Sequence, residues 1–299
     1  MTGSFSSFGF NVGMIGDRIN PGFKSTKALL DAEDLAGVQA LAVKQVEAGA
    51  GALDVTIGPR EATDPAFLAK VVRAIQDAVA VPLCFDSPSV QVQEVCLKSY
   101  DRDRAGGKPA IINSITEQRW ELMNLYKPLG PFQVIVMASE RMEAGAPKSN
   151  KTADEIAVTA KRAALRLQAD YGMALDDIYI DVSVSAVVAD TAGLHRATLQ
   201  AIRRLHDDPQ LRGLHIMGGL TNIGQHLPPK AADGSDLKLS LECAFLTLAV
   251  PLGFDTILCT PWRNYHRLPD DNYVLTAYKN ILEQTGSNAL RAVRKLYRA

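Results

Sequence analysis

Neither sign of charge is in excess in this chain of 299 residues. The 32 lysines and arginines nearly balance the 33 aspartates and glutamates, so the formal net charge is -1 at pH 7. Binding to a phosphate backbone or to an anionic membrane surface needs a basic face, and here the cations are interleaved with acids. The sequence therefore favours neither nucleic acid nor a membrane as a partner.

Cysteine is also scarce, and long apolar runs are missing. The four cysteines, Cys84, Cys96, Cys243 and Cys259, are scattered and form no Cys-x-x-Cys pair. Such isolated thiols are typical of reduced, core-packed cysteines in a cytoplasmic protein. No apolar stretch is long enough to span a bilayer. Met1–Phe10 lacks the basic and apolar regions of a signal peptide, so a cytoplasmic location is expected.

The five histidines give no sign of a metal site. They form no close His-x-x-x-His or His-x-Cys pair, so we expect no bound metal. His195 and His206 fall in a helical pattern and are expected at the surface. His226 and His266 fall on predicted loops, where a solvated histidine is the commoner case. A Gly-x-Ser-x-Gly nucleophile motif is absent from the sequence as well.

Apolar strand-like runs alternate with amphipathic helical patterns from end to end. Strands are predicted near residues 12–19, 52–57, 82–86, 109–113, 132–137, 178–181, 214–219 and 255–259. Helices are predicted near residues 31–49, 65–80, 88–100, 117–127, 152–173, 193–207, 238–252 and 270–297. This alternation favours parallel pairing, and eight units without a break in composition predict a closed (β/α)8 TIM barrel, one domain over residues 1–299. An open doubly wound sheet is the alternative, but the Gly-rich phosphate loop common in that fold is absent.

Three sequence signals predict where helices begin. Asp64-Pro65 and Ser87-Pro88 each place a capping side chain before a proline. Thr152 and Glu155 have the spacing of a capping box. Two segments rich in Pro, Gly and charge, 140–147 and 225–235, are predicted as long loops at the rim where a barrel enzyme has its active site.

The alternation of side chains along the strands predicts which of them point into the barrel. In the second strand Leu53, Val55 and Ile57 share one face, and Asp54 and Thr56 share the other. Aliphatic side chains suit the face that packs against helices, so Asp54 and Thr56 are expected to point inward. The same reasoning points Asp86 inward beside Cys84. A buried aspartate must be paired, either with another side chain or with a ligand.

Acidic and amide side chains end several predicted strands, with little positive charge beside them. Asp86, Asn113 and Asp181 form the sharpest set. A pterin ring presents adjacent N–H and NH2 donors that one carboxylate can accept together, so this set favours a donor-rich heterocycle over a phosphate. A structural network that caps helix starts is the alternative. For Asp54 a purely orienting role is equally well supported.

Asn222 follows two glycines, Gly218 and Gly219, after the seventh predicted strand. Glycines allow a backbone to approach a ligand closely. An asparagine in a tight turn is the alternative, because turns commonly use this residue. This segment is weak evidence when taken alone.

Six segments, in order and at predicted strand ends, resemble the pterin-binding methyltransferases. The resemblance is greatest to the methyltetrahydrofolate:corrinoid-protein methyltransferases, and it extends to the folate domain of cobalamin-dependent methionine synthase. The segments are Gly16–Asn20, Ala52–Pro59, Leu83–Ser87, Ile112–Ser114, Tyr179–Asp181 and Gly219–Gln225.

The resemblance implies a barrel of the dihydropteroate-synthase-like type that binds the pterin of tetrahydrofolate or 5-methyltetrahydrofolate. It implies that Asp86, Asn113 and Asp181 hold the pterin and that Asn222, the expected catalytic residue, lies near N5. Other residues of the matching segments complete the expected pterin-binding set: Asp54, Gln225 and Asn20. The resemblance also implies a homodimer and a separate corrinoid protein that carries cobalamin.

Departures from that family and three alternatives accompany this hypothesis. Asp17 stands where the family commonly has glutamate, and Thr56 stands where asparagine is usual. The loop after the seventh strand is longer and contains Pro228-Pro229. The alternatives are a dihydropteroate synthase, faintly suggested by Arg263 and His266, a non-catalytic folate-binding or corrinoid-docking subunit, and a zinc-dependent corrinoid methyltransferase. The first would need a cationic pyrophosphate site, and the last a His/Cys zinc site.

Overall fold

A computed structural model describes residues 10–298 and contains eight parallel strands closed into a barrel. The barrel strands are β1 (Gly13–Ile19), β2 (Ala52–Val55), β3 (Leu83–Asp86), β4 (Ile111–Ile115), β5 (Gln133–Met137), β8 (Ile178–Asp181), β9 (His215–Gly219) and β10 (Thr256–Cys259). Strand β10 pairs with β1 and closes the sheet. The predicted TIM barrel is confirmed, and all of the predicted strands are present.

Helices follow the barrel strands and surround them. They are α1 (Lys24–Asp31), α2 (Leu35–Glu47), α3 (Arg60–Thr63), α4 (Pro65–Ala78), α5 (Val90–Ser99), α6 (Tyr126–Leu129), α7 (Ala153–Tyr171), α8 (Leu194–Asp207), α9 (Leu237–Ala249), α10 (Tyr273–Leu282) and α11 (Gly286–Arg294). The predicted helices over 31–49 and 270–297 each differ from the structure. Where one helix was predicted over 31–49, α1 ends at Asp31 and α2 begins after its cap residue Asp34. Where one helix was predicted over 270–297, there are two, α10 and α11, and Thr285 is the N-cap of the second.

Two of the three predicted helix starts are confirmed. The Asp64 side chain accepts a hydrogen bond from the Phe67 amide at the start of α4. Thr152 and Glu155 form the capping box of α7. The prediction at Ser87-Pro88 was wrong, because the cap of α5 is Ser89, which has an extended backbone and whose Oγ accepts from the Val92 amide.

One buried layer of apolar side chains fills the barrel interior below its mouth. Its members are Ile15, Ala52, Cys84, Ile111, Ile135, Tyr179 and Met217, with Leu258 packed against them. A strand turns the same face inward every second residue, so the next layer towards the strand ends consists of Asp17, Asp54, Asp86, Asn113, Met137, Asp181, Gly219 and Thr260. The aliphatic neighbours Leu53 and Val55 lie in the outer core instead. The predicted inward orientation of Asp54 and Asp86 is confirmed.

The predicted loop over 140–147 is largely an antiparallel hairpin. Strand β6 (Glu140–Glu143) pairs with β7 (Ala146–Ser149). Ala144 and Gly145 join them with φ angles of 52° and 80°, the pair of positive values that a two-residue hairpin turn needs. The long loop predicted here is therefore a hairpin, because its Pro and Gly residues suggested a loop although the segments on either side of the turn pair as strands.

His195 is buried, contrary to the prediction that it lies at the surface. Its Nδ1 is 2.7 Å from the Tyr278 hydroxyl and its Nε2 is 3.0 Å from the Ser185 carbonyl oxygen. Burial lowers the pKa of His195 and favours the neutral ring. The side chain therefore joins α8 to α10, whereas His206 is exposed as predicted.

The four cysteines are buried and unpaired, in agreement with the prediction. No helix within residues 10–298 has both the length and the apolar character that a bilayer crossing needs. The prediction about a signal peptide concerns Met1–Phe10, of which residues 1–9 lie outside the described part of the chain.

Candidate active site

The order of strands round the barrel decides which strand ends face one another. Strand β3 lies between β2 and β4, and β9 lies between β8 and β10. In a ring of eight strands, β9 is therefore opposite β3, and β10 is opposite β4. Asp86 and Asn113 are register partners on β3 and β4. The mouth of the barrel thus has a carboxylate-amide side and, across from it, the side of the β9 and β10 loops.

Asp54 orients the amide of Asn113. The Asn113 Nδ2 atom donates to Asp54 Oδ1 over 3.1 Å, and only 2% of Asp54 is exposed. Burial and the nearby Asp86 charge raise the pKa of Asp54. Because the Asn113 nitrogen is engaged by Asp54, its Oδ1 atom remains as an acceptor. The orienting role that the sequence allowed for Asp54 matches this contact.

Asp86 is the carboxylate without a partner. Among the described residues no side chain or amide donates a hydrogen bond to it, although it is partly buried. Burial raises its pKa, and the positive charge of Arg119 opposes that shift. A partly buried carboxylate without donors is costly to the fold. Both oxygens of Asp86 are therefore available to a ligand that supplies N–H groups.

Arg119 was missed by the sequence reasoning, which expected little positive charge here. It follows β4 and donates through Nη2 to Ser114 Oγ over 3.2 Å. Arg119 lies six residues after Asn113, in a loop that begins at the end of a barrel strand, and this position could have indicated a residue of the site. The charge near Asp86 helps to keep that carboxylate ionised.

Asp181 stands at the end of β8. Its Oδ1 accepts from the Ser183 amide over 2.6 Å, which leaves Oδ2 as an acceptor. The protein packed round the carboxylate raises the pKa of Asp181 to about 6, and the Ser183 amide opposes the shift. Ser183 itself has a φ of 60°, a strained value for a serine, and its Oγ is buried without a partner among the described residues.

Asp17 is a further buried carboxyl at the mouth, and sequence reasoning assigned it no role in the site. Its oxygens accept from Thr260 Oγ1 over 3.0 Å and from Thr221 Oγ1 over 3.2 Å. Burial raises the pKa of Asp17. This carboxyl therefore ties β1 to the loops after β9 and β10. Asp17 lies two residues after Ile15 on β1, so alternation along the strand could have predicted that its side chain points into the barrel.

Asn222 and Gln225 lie together on the loop after β9. Asn222 ends a short 3-10 turn, Leu220–Asn222, and Gln225 Nε2 donates to its Oδ1 over 2.7 Å. That bond leaves the Asn222 Nδ2 atom free to donate. A Cβ atom at Gly219 would stand 2.8 Å from this nitrogen, so the glycine makes room for the Asn222 side chain.

Two remaining residues of the matching segments make local contacts. Asn20 Oδ1 accepts from the Gly22 amide over 2.8 Å, so in the structure this side chain supports a turn after β1. Thr56 lies just beyond β2 and donates to Glu61 Oε2 over 3.2 Å. Glu61, which the sequence reasoning also missed, is partly buried, and that burial raises its pKa. The mouth therefore contains a fifth carboxyl besides Asp17, Asp54, Asp86 and Asp181.

Within residues 10–298 no group of three or more His, Cys, Asp and Glu side chains is placed to hold a metal ion. The site is instead an array of hydrogen-bond acceptors: Asp86, Asn113 Oδ1 and Asp181 Oδ2. Facing it is an amide donor on the β9 loop. Such an array suits a neutral ring with several N–H donors along one edge.

Comparison with known proteins identifies the family of this chain. The chain belongs to the pterin binding enzyme family, whose profile matches residues 19–258. A protein of Eubacterium limosum named methylcorrinoid:tetrahydrofolate methyltransferase is 24% identical over 254 residues, which are 83% of this chain and 84% of that protein.

Solved structures with the same fold are dihydropteroate synthases. That of Xanthomonas albilineans, in complex with 4-aminobenzoic acid, is 18% identical with a TM-score of 0.57, and the match covers 90% of this chain and 92% of that one. That of Thermus thermophilus is also 18% identical with a TM-score of 0.57, covering 85% of this chain and 89% of that one. At this level of identity the likeness shows the shared barrel fold.

Proposed function

We propose that this protein transfers a methyl group between N5 of tetrahydrofolate and the cobalt of a corrinoid carried by a separate protein. Membership of the pterin binding enzyme family supports the folate part of the proposal. The name of the Eubacterium limosum relative supports the corrinoid part. The proposal includes the cytoplasmic homodimer that the sequence resemblance implies.

The unpaired carboxylate of Asp86 carries the proposal. A pterin ring has an amino group and an adjacent ring N–H, and one carboxylate can accept both. Asp86 offers two free oxygens, and Asn113, held by Asp54, offers a third acceptor. Asp181 offers a fourth through Oδ2. The substrate then supplies the hydrogen-bond donors that Asp86 does not receive from residues 10–298.

This binding mode directs the reacting nitrogen towards Asn222. With the donor edge of the ring held on the β3 and β4 side, the opposite edge faces the loops after β9 and β10. N5 lies on that opposite edge. Asn222 Nδ2 is the donor on the β9 loop, because Gln225 engages its Oδ1.

The chain contributes hydrogen bonding and positioning to the transfer. As the methyl carbon gains a bond to cobalt, the electron pair of the N5–C bond stays on N5, which takes up a proton. A hydrogen bond from Asn222 stabilises the charge that develops on N5 and strengthens in the transition state. An amide is not acidic enough to deliver the proton, so the proton comes from solvent. The rigid barrel holds N5 open to the incoming corrinoid.

Visible spectroscopy tests the proposal directly. The purified protein is mixed with methyltetrahydrofolate and cob(I)alamin, and we expect methylcobalamin to form at a rate proportional to enzyme concentration. Methylcobalamin with tetrahydrofolate should show the reverse reaction. Tight folate binding without transfer in either direction would instead indicate the non-catalytic subunit.

The dihydropteroate synthase alternative needs a free cationic site for pyrophosphate. Arg263, which suggested that alternative, is engaged: its Nη1 lies 2.9 Å from Glu242 Oε1 and its Nη2 lies 3.6 Å from Asp236 Oδ1. We therefore expect no pteroate from p-aminobenzoate and a pterin pyrophosphate. Formation of pteroate would favour that alternative over methyl transfer.

Folate affinity should depend on pH through Asp181. The pterin donors require the ionised carboxylate, and the pKa of Asp181 is raised to about 6. Affinity is therefore expected to be full above that pH and to fall by up to about tenfold per unit below it. Calorimetric titrations at several pH values above and below 6 measure this fall in folate affinity. Asp181→Asn should bind folate more weakly at every pH, and its affinity should depend less on pH. If the affinity of the wild type did not fall at low pH, the Asp181 carboxylate would take no part in binding.

Gly219→Ala should slow methyl transfer by about tenfold without preventing folding. The new methyl group would collide with Asn222 Nδ2 and displace the donor from N5. The φ of Gly219 is -74°, so the backbone itself accepts alanine. Single-turnover rates measure the effect, with Gly51→Ala as the control, because a Cβ at Gly51 would make only an ordinary contact, 3.8 Å from the Met14 carbonyl oxygen. A normal rate in Gly219→Ala would show that the loop tolerates the shift.

A further inference from the structure

Two cations converge on one tryptophan at the rim above β1 and β10. The Arg18 guanidinium lies 3.5 Å from the centre of the Phe23 ring and 5.5 Å from that of Trp262. The Lys44 ammonium lies 4.3 Å from the centre of the Trp262 ring. Trp262 is 37% exposed and Lys44 is exposed, whereas Arg18 is half-buried. We call Arg18, Lys44 and Trp262 the rim cluster.

The two cations of the rim cluster lack anionic partners in the described part of the chain. The ion pairs of that part include neither Arg18 nor Lys44, and no acceptor receives a hydrogen bond from either side chain. Three other arginines near the mouth form ion pairs: Arg60 with Asp64, Arg141 with Glu155 and Arg263 with Glu242. Arg119 forms none within residues 10–298, but it lies on the opposite, β4 side of the mouth. On the β1 and β10 side of the mouth, the rim cluster therefore has two positive charges that could bind an external anion.

The rim cluster adjoins the mouth on the side that faces away from the acceptor array. Arg18 directly follows Asp17, and Trp262 follows Thr260 by two residues, at most about 7 Å along the chain. Asp17 and Thr260 belong to the mouth layer. Strand β10 lies opposite β4, and β1 is its neighbour in the ring. The N5 edge of a pterin therefore approaches β10, next to the rim cluster, when its donor edge is held on the β3 and β4 side.

A folate carries its tail on this same edge. The carbon beside N5 bears an aminobenzoyl group that ends in one or more γ-linked glutamates, each with a free carboxylate. The mouth contains the carboxyls of Asp17, Asp54, Asp86, Asp181 and Glu61, so its charge repels such a tail. On the side where the tail emerges, the rim cluster offers two cations that form no ion pair within residues 10–298.

We propose that the rim cluster binds the carboxylates of the folate tail and gives the protein a preference for folates with several glutamates. Trp262 holds both cations in place through its ring face. Both charges are near the surface, so the attraction is moderate and weakens with salt. This inference rests on the proposed function, because it places the pterin in the barrel mouth.

Affinity for two forms of one substrate tests the inference. The dissociation constants of monoglutamyl and triglutamyl methyltetrahydrofolate are measured at low and high salt. The triglutamyl form should bind about fivefold more tightly at low salt, and the difference should shrink at high salt. Lys44→Glu should abolish the difference. Lys70→Glu, which changes an exposed lysine of α4 outside every ion pair of residues 10–298, should keep it.

The outcomes separate this inference from the proposed function. Equal affinity for the two folates in the wild type, or a difference that survives in Lys44→Glu, overturns the inference and leaves methyl transfer intact. Failure to bind either folate overturns the proposed function itself. If Lys44→Glu keeps both affinities but slows transfer only to a protein-bound corrinoid, the rim cluster is a docking surface and the inference is wrong.

Discussion

Asn222→Ala is expected to slow methyl transfer by about 10²–10³-fold while changing folate affinity by less than about threefold. The side chain is exposed on the β9 loop, so its loss leaves the core intact. Its hydrogen bond to N5 gains strength only as charge develops on that nitrogen, and such a bond affects the rate more than binding. Stopped-flow formation of methylcobalamin gives the rate, and calorimetry gives the affinity.

Gln225→Leu is the matched control for this experiment. It removes the bond from Gln225 Nε2 that fixes the Asn222 amide, but it leaves the amide present. We expect a loss of about tenfold, because the amide then spends part of its time rotated. Equal rates in Asn222→Ala and the wild type would remove Asn222 from the mechanism, and another donor would have to act at N5.

Asp86→Asn is expected to weaken folate binding by about 100-fold and to leave the protein at least as stable as the wild type. Charge-assisted hydrogen bonds contribute about 1.5–3 kcal/mol each, and the carboxylate accepts two donors where an amide oxygen accepts fewer and its NH2 opposes them. The free protein gives Asp86 no hydrogen bond within residues 10–298, so the substitution removes a poorly solvated charge without breaking a contact.

The combination of the two measurements is what distinguishes a binding residue from a structural one. A structural aspartate would lose stability on substitution, whereas Asp86 should lose affinity and keep its unfolding temperature. Asp170→Asn, an exposed helical aspartate that pairs with Arg166, controls for loss of a negative charge. A drop in unfolding temperature with unchanged folate affinity would show that Asp86 serves the fold instead.

Local pattern accounts for much of what the sequence revealed. Period-two alternation placed Asp54 and Asp86 inside the barrel, because a strand offers its side chains only two directions. Asp64 and Thr152 were found as helix caps because a cap is satisfied within a few residues of itself. The capping signal at Ser87-Pro88 was equally local and still wrong, since Ser89, two residues further on, is the residue that caps α5.

Sequence by itself determined the eight strands, the barrel and the acids and amides that end those strands, since each follows from short-range periodicity repeated along the chain. Only the tertiary structure decided that Asp86 has no hydrogen-bond donor within residues 10–298 while Asp54 holds Asn113. It also decided that His195 is buried against Tyr278 and that Arg18 and Lys44 meet at Trp262. Asp54 and Asn113 are 59 positions apart in the sequence, His195 and Tyr278 are 83 apart, and Trp262 is more than 200 positions from both Arg18 and Lys44. The formation of these contacts depends on how strands and helices pack in space, which no short window of sequence records.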